Sequence, residues 1–159
     1  MRQGLQIKQP APILFTQAGY AQLKVKREEL LAKREEVLIA LQRAREMGDL
    51  SENGAYTAAR FELSNTDREL RRVEHNLKYG KVIEPTRDGV IGFGSVVTVE
   101  LKGQEYTYTL VGTEESDPQK NILSLESPIG RALQGKREGE MARVIMPDRE
   151  LEYQVKKIL

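Results

Sequence analysis

Two long stretches of this chain carry mostly apolar residues at steps of three and four, and a short break separates them. The first stretch follows positions 20, 23, 27, 30, 34, 37, 41 and 44, and the second follows 56, 59, 63, 66, 70, 73 and 77. This spacing places the residues on one face of an α-helix and is typical of a coiled-coil seam. Because only a few residues around Gly48 separate the seams, we predict two antiparallel helices joined as a hairpin.

The first predicted helix starts after Thr16, a candidate N-cap, and extends to residue 47. At a rise of about 1.5 Å per residue it is about 45 Å long. The break between the helices is therefore expected to project far from the rest of the protein. Two seam positions hold Arg27 and Arg34, whose stems can lie along the seam while their charged groups stay in water.

The break reads EMGDLSENG over residues 46–54 and contains the carboxylates of Asp49 and Glu52. One interpretation is structural: Gly48 suits the C′ position of the first helix, and the carboxylate spacing fits a capping box with Asp49 as N-cap and Glu52 at N3. The other is chemical: Mg²⁺ commonly takes one or two protein carboxylates and completes its shell with water and phosphate oxygens. The residues alone leave both interpretations open.

A second domain is predicted to follow the hairpin, which spans 16–80, and to cover 81–159. After a first short strand at Val82-Ile83, β-branched and aromatic runs predict strands at 96–101, 106–111, 121–125, 142–146 and 151–155. In SPIGRALQG, Ser127 suits an N-cap, Pro128 the first helical position and Gly135 the C′ position. The predicted class is α+β, with a helical hairpin followed by a small, largely antiparallel sheet and one short helix.

Composition excludes several functions. The chain has no cysteine and one histidine, which excludes disulfides and argues against a zinc site. Its formal net charge of +1 argues against a free-standing DNA or RNA binder. No apolar run is long enough for a membrane span and no signal peptide is recognisable, so a cytoplasmic protein without membrane association is expected. No serine or lysine has a recognisable catalytic setting, so the protein is not expected to be a self-contained enzyme.

Two further parts of the chain, its N-terminus and a basic cluster on the second helix, are assigned no specific function. Residues 1–15 contain QPAP and are predicted to be a mobile extension. A basic cluster on the second helix favours a solvated face, balanced by neighbouring acids, over an RNA-binding patch. The basic residues are Arg68, Arg71 and Arg72, and the acids are Asp67, Glu69 and Glu74.

Two motifs, GDLSENGAYTAAR at 48–60 and SPIGRALQGKREGE at 127–140, resemble the bacterial transcript cleavage factors GreA and GreB, and more closely the GreA type. The resemblance covers residues 13 to 159. It implies that the coiled-coil hairpin enters the secondary channel of RNA polymerase while an FKBP-like C-terminal domain docks on the channel rim. The resemblance further implies that, in the polymerase's own active site, the tip carboxylates help to hold a second Mg²⁺ and its water. This water attacks the backtracked nascent RNA, so that its 3′ end is cleaved off.

The resemblance assigns roles to individual residues. Asp49 and Glu52, in a tip at 48–53, match the acidic pair that shares Mg²⁺ with the polymerase. Arg60 matches a position near the extruded RNA, and Ser127 and Pro128 match a rim contact. The protein is then expected to activate the polymerase's own endonuclease activity, to bind no Mg²⁺ tightly by itself and to be a monomer when free.

One departure from the family keeps alternatives open. Many members have a further glutamate where this chain has Ala55, which follows Gly54. A first alternative is a protein that occupies the polymerase channel and inhibits or modulates transcription without stimulating cleavage. A second alternative does not depend on Ala55: it starts from the FKBP-like domain and is a prolyl isomerase with the hairpin as a chaperone-like arm, although three Phe and no Trp offer few aromatic side chains for a proline pocket.

Overall fold

The computed structural model describes residues 12–49, 52–85 and 88–159. The chain divides into two compact units: a hairpin unit, Tyr20–Tyr79, and a sheet unit that combines the residues before Tyr20 with Gly80–Leu159. Among the described residues, no helix is both long and apolar enough to cross a membrane.

The hairpin consists of helix α1, Gln17–Glu46, and helix α2, Gly54–Tyr79. The predicted seam is confirmed, because its positions are buried or half-buried along both helices. The Tyr20 hydroxyl donates a hydrogen bond of 2.9 Å to the Leu77 carbonyl, which confirms the antiparallel arrangement. Buried seam residues are Leu30, Val37, Leu41, Ala44, Ala59, Thr66, Leu70 and Val73.

Ion pairs join the two helices along the edges of the seam. The Arg34 Nε lies 2.7 Å from the Asp67 carboxylate, the shortest ion-pair distance of the two arginines in the seam. The other pairs across the seam are Lys26–Glu69, Arg27–Glu74 and Lys33–Glu62. Three of these acids were predicted to balance the basic cluster on α2, and their carboxylates pair instead with side chains of α1. Each exposed pair stabilises the hairpin by about 0.2–1 kcal/mol.

The start of α1 is bound to the sheet unit to which it belongs. Thr16 is the N-cap, as predicted, because its hydroxyl accepts a 3.1 Å hydrogen bond from the Gly19 amide. The Glu115 carboxylate accepts hydrogen bonds from the Thr16 amide, at 2.8 Å, and from the Thr16 hydroxyl. A Cβ at Gly19 would lie 2.2 Å from the carboxylate carbon of Glu115, so a side chain there would displace this carboxylate from Thr16.

The sheet unit contains two sheets and one short helix. Strands β1, Ile13–Phe15, and β2, Gly80–Val82, form a parallel pair. The larger sheet has the order β5-β4-β3-β7-β6 and is antiparallel except between β4 and β5. Its strands are β3 Val96–Leu101, β4 Gln104–Val111, β5 Ile122–Ser124, β6 Met141–Ile145 and β7 Glu150–Ile158, and helix α3 is Pro128–Leu133.

These elements confirm the predicted α+β class, although the bounds of several elements differ from the predicted ones. Ile13–Phe15 of the predicted N-terminal extension form β1, while residues 1–11 lie outside the described residues. Strand β7 continues to Ile158, beyond the predicted end at residue 155, because pairing with β3 carries it past the lysines that interrupt its apolar pattern. One of these, Lys156, forms a 2.8 Å ion pair with Glu100.

The core of the sheet unit lies between the larger sheet and α3. Leu133 of α3 is fully buried against the sheet, and alternate residues of the central strands point to the same side. The most buried members are Ile91, Val97, Val99, Leu110, Leu133, Ala142, Val144 and Val155.

Candidate functional site: the hairpin tip

Helix α1 ends in a glycine turn. The Met47 amide donates a 3.3 Å hydrogen bond to the Ala44 carbonyl, which tightens the last turn. Gly48 follows with φ +103°, in the region that side chains with a Cβ rarely adopt. The predicted role of Gly48 as the C′ residue of α1 is confirmed.

Asn53 caps helix α2. Its side-chain oxygen accepts a 3.0 Å hydrogen bond from the Tyr56 amide, and its carbonyl accepts the first helical bond, 3.2 Å, from the Thr57 amide. This is the geometry of an N-cap residue bonded to the N3 amide. Its side-chain NH₂ donates a further 2.7 Å hydrogen bond to the Ala44 carbonyl in the last turn of α1.

Of the two interpretations of Asp49 and Glu52, the capping box is therefore wrong. Helix α2 begins at Gly54, so both carboxylates precede the cap and neither occupies a helical position. A helix starting at Asp49 would have placed Asn53 and Gly54 in its interior, where both residues are poor helix formers. The side chains of Asp49 and Glu52 are exposed, in the segment between the two helices.

The donor chemistry of this acidic pair fits a hard divalent cation. Carboxylate oxygens are the ligands that Mg²⁺ prefers, but Mg²⁺ requires about six. No group of three or more His, Asp or Glu side chains arranged to hold a metal ion occurs among residues 12–49, 52–85 and 88–159. By number and type of donor, Asp49 and Glu52 suit only part of an Mg²⁺ coordination shell.

A surface groove lies beside the tip on the hairpin. Its volume is about 350 Å³, and the Tyr56 ring in its lining lies close to two guanidinium groups. The Cζ of Arg45 is 5.7 Å and that of Arg60 5.8 Å from the ring centroid, distances that allow cation–π attraction. The groove is lined by Leu41, Arg45, Tyr56, Arg60, Leu63, Ser64, Asp67 and Arg71.

The groove places Arg60 near other basic side chains, and the sequence indicates only some of the contacts in this groove. The Tyr56–Arg60 contact follows from their i, i+4 spacing on one helix. Arg45 was missed because it lies on the other helix and reaches Tyr56 only once the hairpin forms. The Asp67 carboxylate at the groove is paired with Arg34, which reduces its ability to neutralise the arginines.

Ser127 and Pro128 form the N-terminus of α3, as predicted. The Ser127 hydroxyl accepts a 3.0 Å hydrogen bond from the Gly130 amide and donates a 2.6 Å bond to the Ser124 carbonyl. Pro128 is the first helical residue and is exposed. These two candidate residues belong to the sheet unit, whereas Asp49, Glu52 and Arg60 belong to the hairpin unit.

Comparison with known families covers nearly the whole chain. Residues 13–82 match the family model described as transcription elongation factor, N-terminal. Residues 85–159 match the model described as transcription elongation factor, GreA/GreB, C-term. The chain belongs to the GreA/GreB family. Within this GreA/GreB chain, the tip motif falls inside the first match and the α3 motif inside the second.

Two sequence relatives give the same family. The transcription elongation factor GreA of Maridesulfovibrio salexigens is 38% identical over 151 residues, covering 92% of this chain and 94% of the relative. That of Chlorobium phaeovibrioides is 41% identical over 152 residues, covering 92% and 96%. The solved GreA factor homolog 1 of Thermus thermophilus is 26% identical, covers 93% of this chain and 99% of its own, and superimposes with a TM-score of 0.45.

Proposed function

We propose that this protein acts on RNA polymerase as a transcript cleavage factor that rescues backtracked elongation complexes. The observation that carries the proposal is the placement of Asp49 and Glu52. Both side chains are exposed at the end of the hairpin and outside both helices. The matches to proteins named transcription elongation factor GreA support the same function.

In this proposal the hairpin enters the secondary channel of the polymerase and brings the two carboxylates to the polymerase active site. Asp49 and Glu52 hold Mg²⁺ jointly with the polymerase, and the ion supplies charge stabilisation and a more acidic bound water for hydrolysis. Neither residue forms a covalent intermediate. The protein is thus an activator of the polymerase's endonuclease activity and not an enzyme by itself.

Other residues of the chain bind and orient in this proposal. Arg60 faces the extruded 3′ end of the RNA, where its guanidinium group attracts the phosphate backbone. The exposed Pro128 and the capping Ser127 contact the rim of the channel, so that the sheet unit binds outside while the hairpin reaches in. The free protein is a monomer that meets the polymerase in the cytoplasm.

Cleavage of labelled RNA in a stalled, backtracked elongation complex tests this proposal. The protein is expected to shorten the RNA from its 3′ end faster than the polymerase does alone in the same Mg²⁺ buffer. Binding to the polymerase without faster cleavage would identify the channel-occupying inhibitor that Ala55 leaves open. Failure to bind the polymerase, together with measurable isomerisation of a proline peptide, would identify the prolyl isomerase instead.

A further inference from the structure

The side-chain amide of Asn53 bonds to both helices of the hairpin. Its NH₂ group donates 2.7 Å to the Ala44 carbonyl at the end of α1. Its oxygen accepts 3.0 Å from the Tyr56 amide at the start of α2. Because both bonds come from one planar amide, they fix the distance between the two helix ends.

Ala44 and Asn53, the two residues that this bond joins, flank the acidic pair in the sequence. Asp49 and Glu52 both lie between Ala44 and Asn53 in the chain, and Glu52 is covalently joined to the anchored residue. Because the bond fixes Asn53 relative to the end of α1, it restrains the backbone of Glu52, which precedes Asn53, relative to Asp49, which follows Gly48 at the end of α1. Ala44 is only 3% exposed, so its carbonyl is a firmly held acceptor within the hairpin seam.

We propose that Asn53 is a positioning residue for the cleavage reaction, with its NH₂ group setting the geometry of the Asp49 and Glu52 carboxylates. This inference rests on the proposed function of the tip. The two bonds of the amide have separable roles: the oxygen caps α2, and the NH₂ group ties α2 to α1. A residue needed only as a helix cap requires the first bond alone, whereas a positioning residue requires the second.

The packing around Tyr56 explains why the tie acts on the tip and not on the whole hairpin. The Tyr56 ring already contacts Arg45 of α1, and Arg34 of α1 pairs with Asp67 of α2 further along. Because these links hold the helices together beyond the tip, loss of the Asn53–Ala44 bond is expected to act on the start of α2 and the adjoining Glu52 and not on the rest of the hairpin.

Asn53→Ser separates the two roles, because a serine hydroxyl retains an acceptor for the cap and has no NH₂ group to reach Ala44. Asn65→Ser makes the same exchange inside α2 and serves as the matched control. Cleavage is measured against protein concentration and against Mg²⁺ concentration. Small misplacements of catalytic groups can cost up to about a hundredfold in rate, so we expect Asn53→Ser to lower the maximal cleavage rate by about tenfold or more.

Two further readouts distinguish positioning from simple loss of structure. We expect the protein concentration for half-maximal cleavage to stay within about twofold of the parent, because the polymerase contacts are unchanged, while the Mg²⁺ concentration required rises. In the free protein, the NMR order parameter of the Glu52 amide is expected to fall in Asn53→Ser, while that of Tyr56 stays at the parent value.

The inference is overturned if Asn53→Ser cleaves like the parent and Asn65→Ser, or if the Glu52 order parameter is unchanged. In either case cleavage by the parent, and its loss in Asp49→Asn with Glu52→Gln, would leave the proposed function standing. A parent protein that binds the polymerase without stimulating cleavage would instead overturn both.

Discussion

Replacing Gly130 by alanine tests how closely α3 packs against the sheet. A Cβ at this position would lie 2.1 Å from the Ser124 carbonyl oxygen and 2.8 Å from the Leu125 Cα. Ordinary contacts between non-bonded heavy atoms are about 3.5–4.0 Å. Since both neighbours are backbone atoms, no change of side-chain rotamer can relieve the collision, and α3 must move away from β5.

The cost follows from what this movement breaks. The Ser124 carbonyl accepts hydrogen bonds from the Ser127 amide, at 3.0 Å, and from the Ser127 hydroxyl, at 2.6 Å. Losing both costs about 2 kcal/mol, and overpacking adds about 1–3 kcal/mol. Alanine in a helix regains about 1 kcal/mol relative to glycine. The free energy of unfolding of the sheet unit is therefore expected to fall by about 2–4 kcal/mol.

Urea unfolding of the full chain, followed by near-ultraviolet circular dichroism of its tyrosines, measures this change. Gly135→Ala is the control: its φ is +79°, but no atom lies within 4 Å of the added Cβ. Left-handed strain alone costs about 1–2 kcal/mol. If Gly130→Ala is as stable as the parent, or more stable than Gly135→Ala, close backbone packing is not what requires a glycine at 130.

Three further outcomes follow from the structure. Gly54→Ala, at the first position of α2 with no atom within 4 Å, should stabilise the hairpin by about 0.4–1 kcal/mol in thermal unfolding. A double-mutant cycle on Arg34 and Asp67, at 2.7 Å, should give a coupling of about 0.2–1 kcal/mol in urea that 1 M salt abolishes. Burial, with Tyr153 adjacent, raises the pKa of Tyr108 to about 12. Because its ordinary value is about 10, stability present below pH 10 should be lost as the pH rises towards 12, and Tyr108→Phe should reduce this loss.

The hairpin and α3 were predictable because their signals are local and repeated. The three-four spacing of apolar residues predicts both the helices and the face that each buries. Ser127, Pro128 and Gly135 occupy the N-cap, first helical and C′ positions of α3, which each residue type favours by its own geometry, so the motif predicts both ends of the helix. In each case the evidence lies within the element itself.

The cap of α2 was not predictable in the same way, because two local signals competed in one short segment. The spacing of Asp49 and Glu52 fits a capping box, and Asn53 is also a favoured N-cap. The hydrogen bond from the Asn53 NH₂ group favours a start of α2 at Gly54, but its acceptor, the Ala44 carbonyl, belongs to the other helix. A contact between distant parts of the hairpin therefore decides where α2 begins.

Pairings between distant segments were missed for a related reason. Strands β1 and β2 have three residues each and pair in parallel although the whole helical hairpin separates them in the sequence. Segments this short carry no periodicity that local reasoning can use. The Glu115 carboxylate at Thr16 is likewise a contact between residues 99 positions apart.

Cleavage by the double variant Asp49→Asn, Glu52→Gln tests the central claim most directly. The two amides keep the size of the side chains and remove the charges that bind a hard cation. On a backtracked elongation complex, we expect the variant to bind the polymerase like the parent and to leave RNA cleavage at the rate of the polymerase alone. Cleavage at the parent's rate would show that the tip carboxylates do not perform the chemistry.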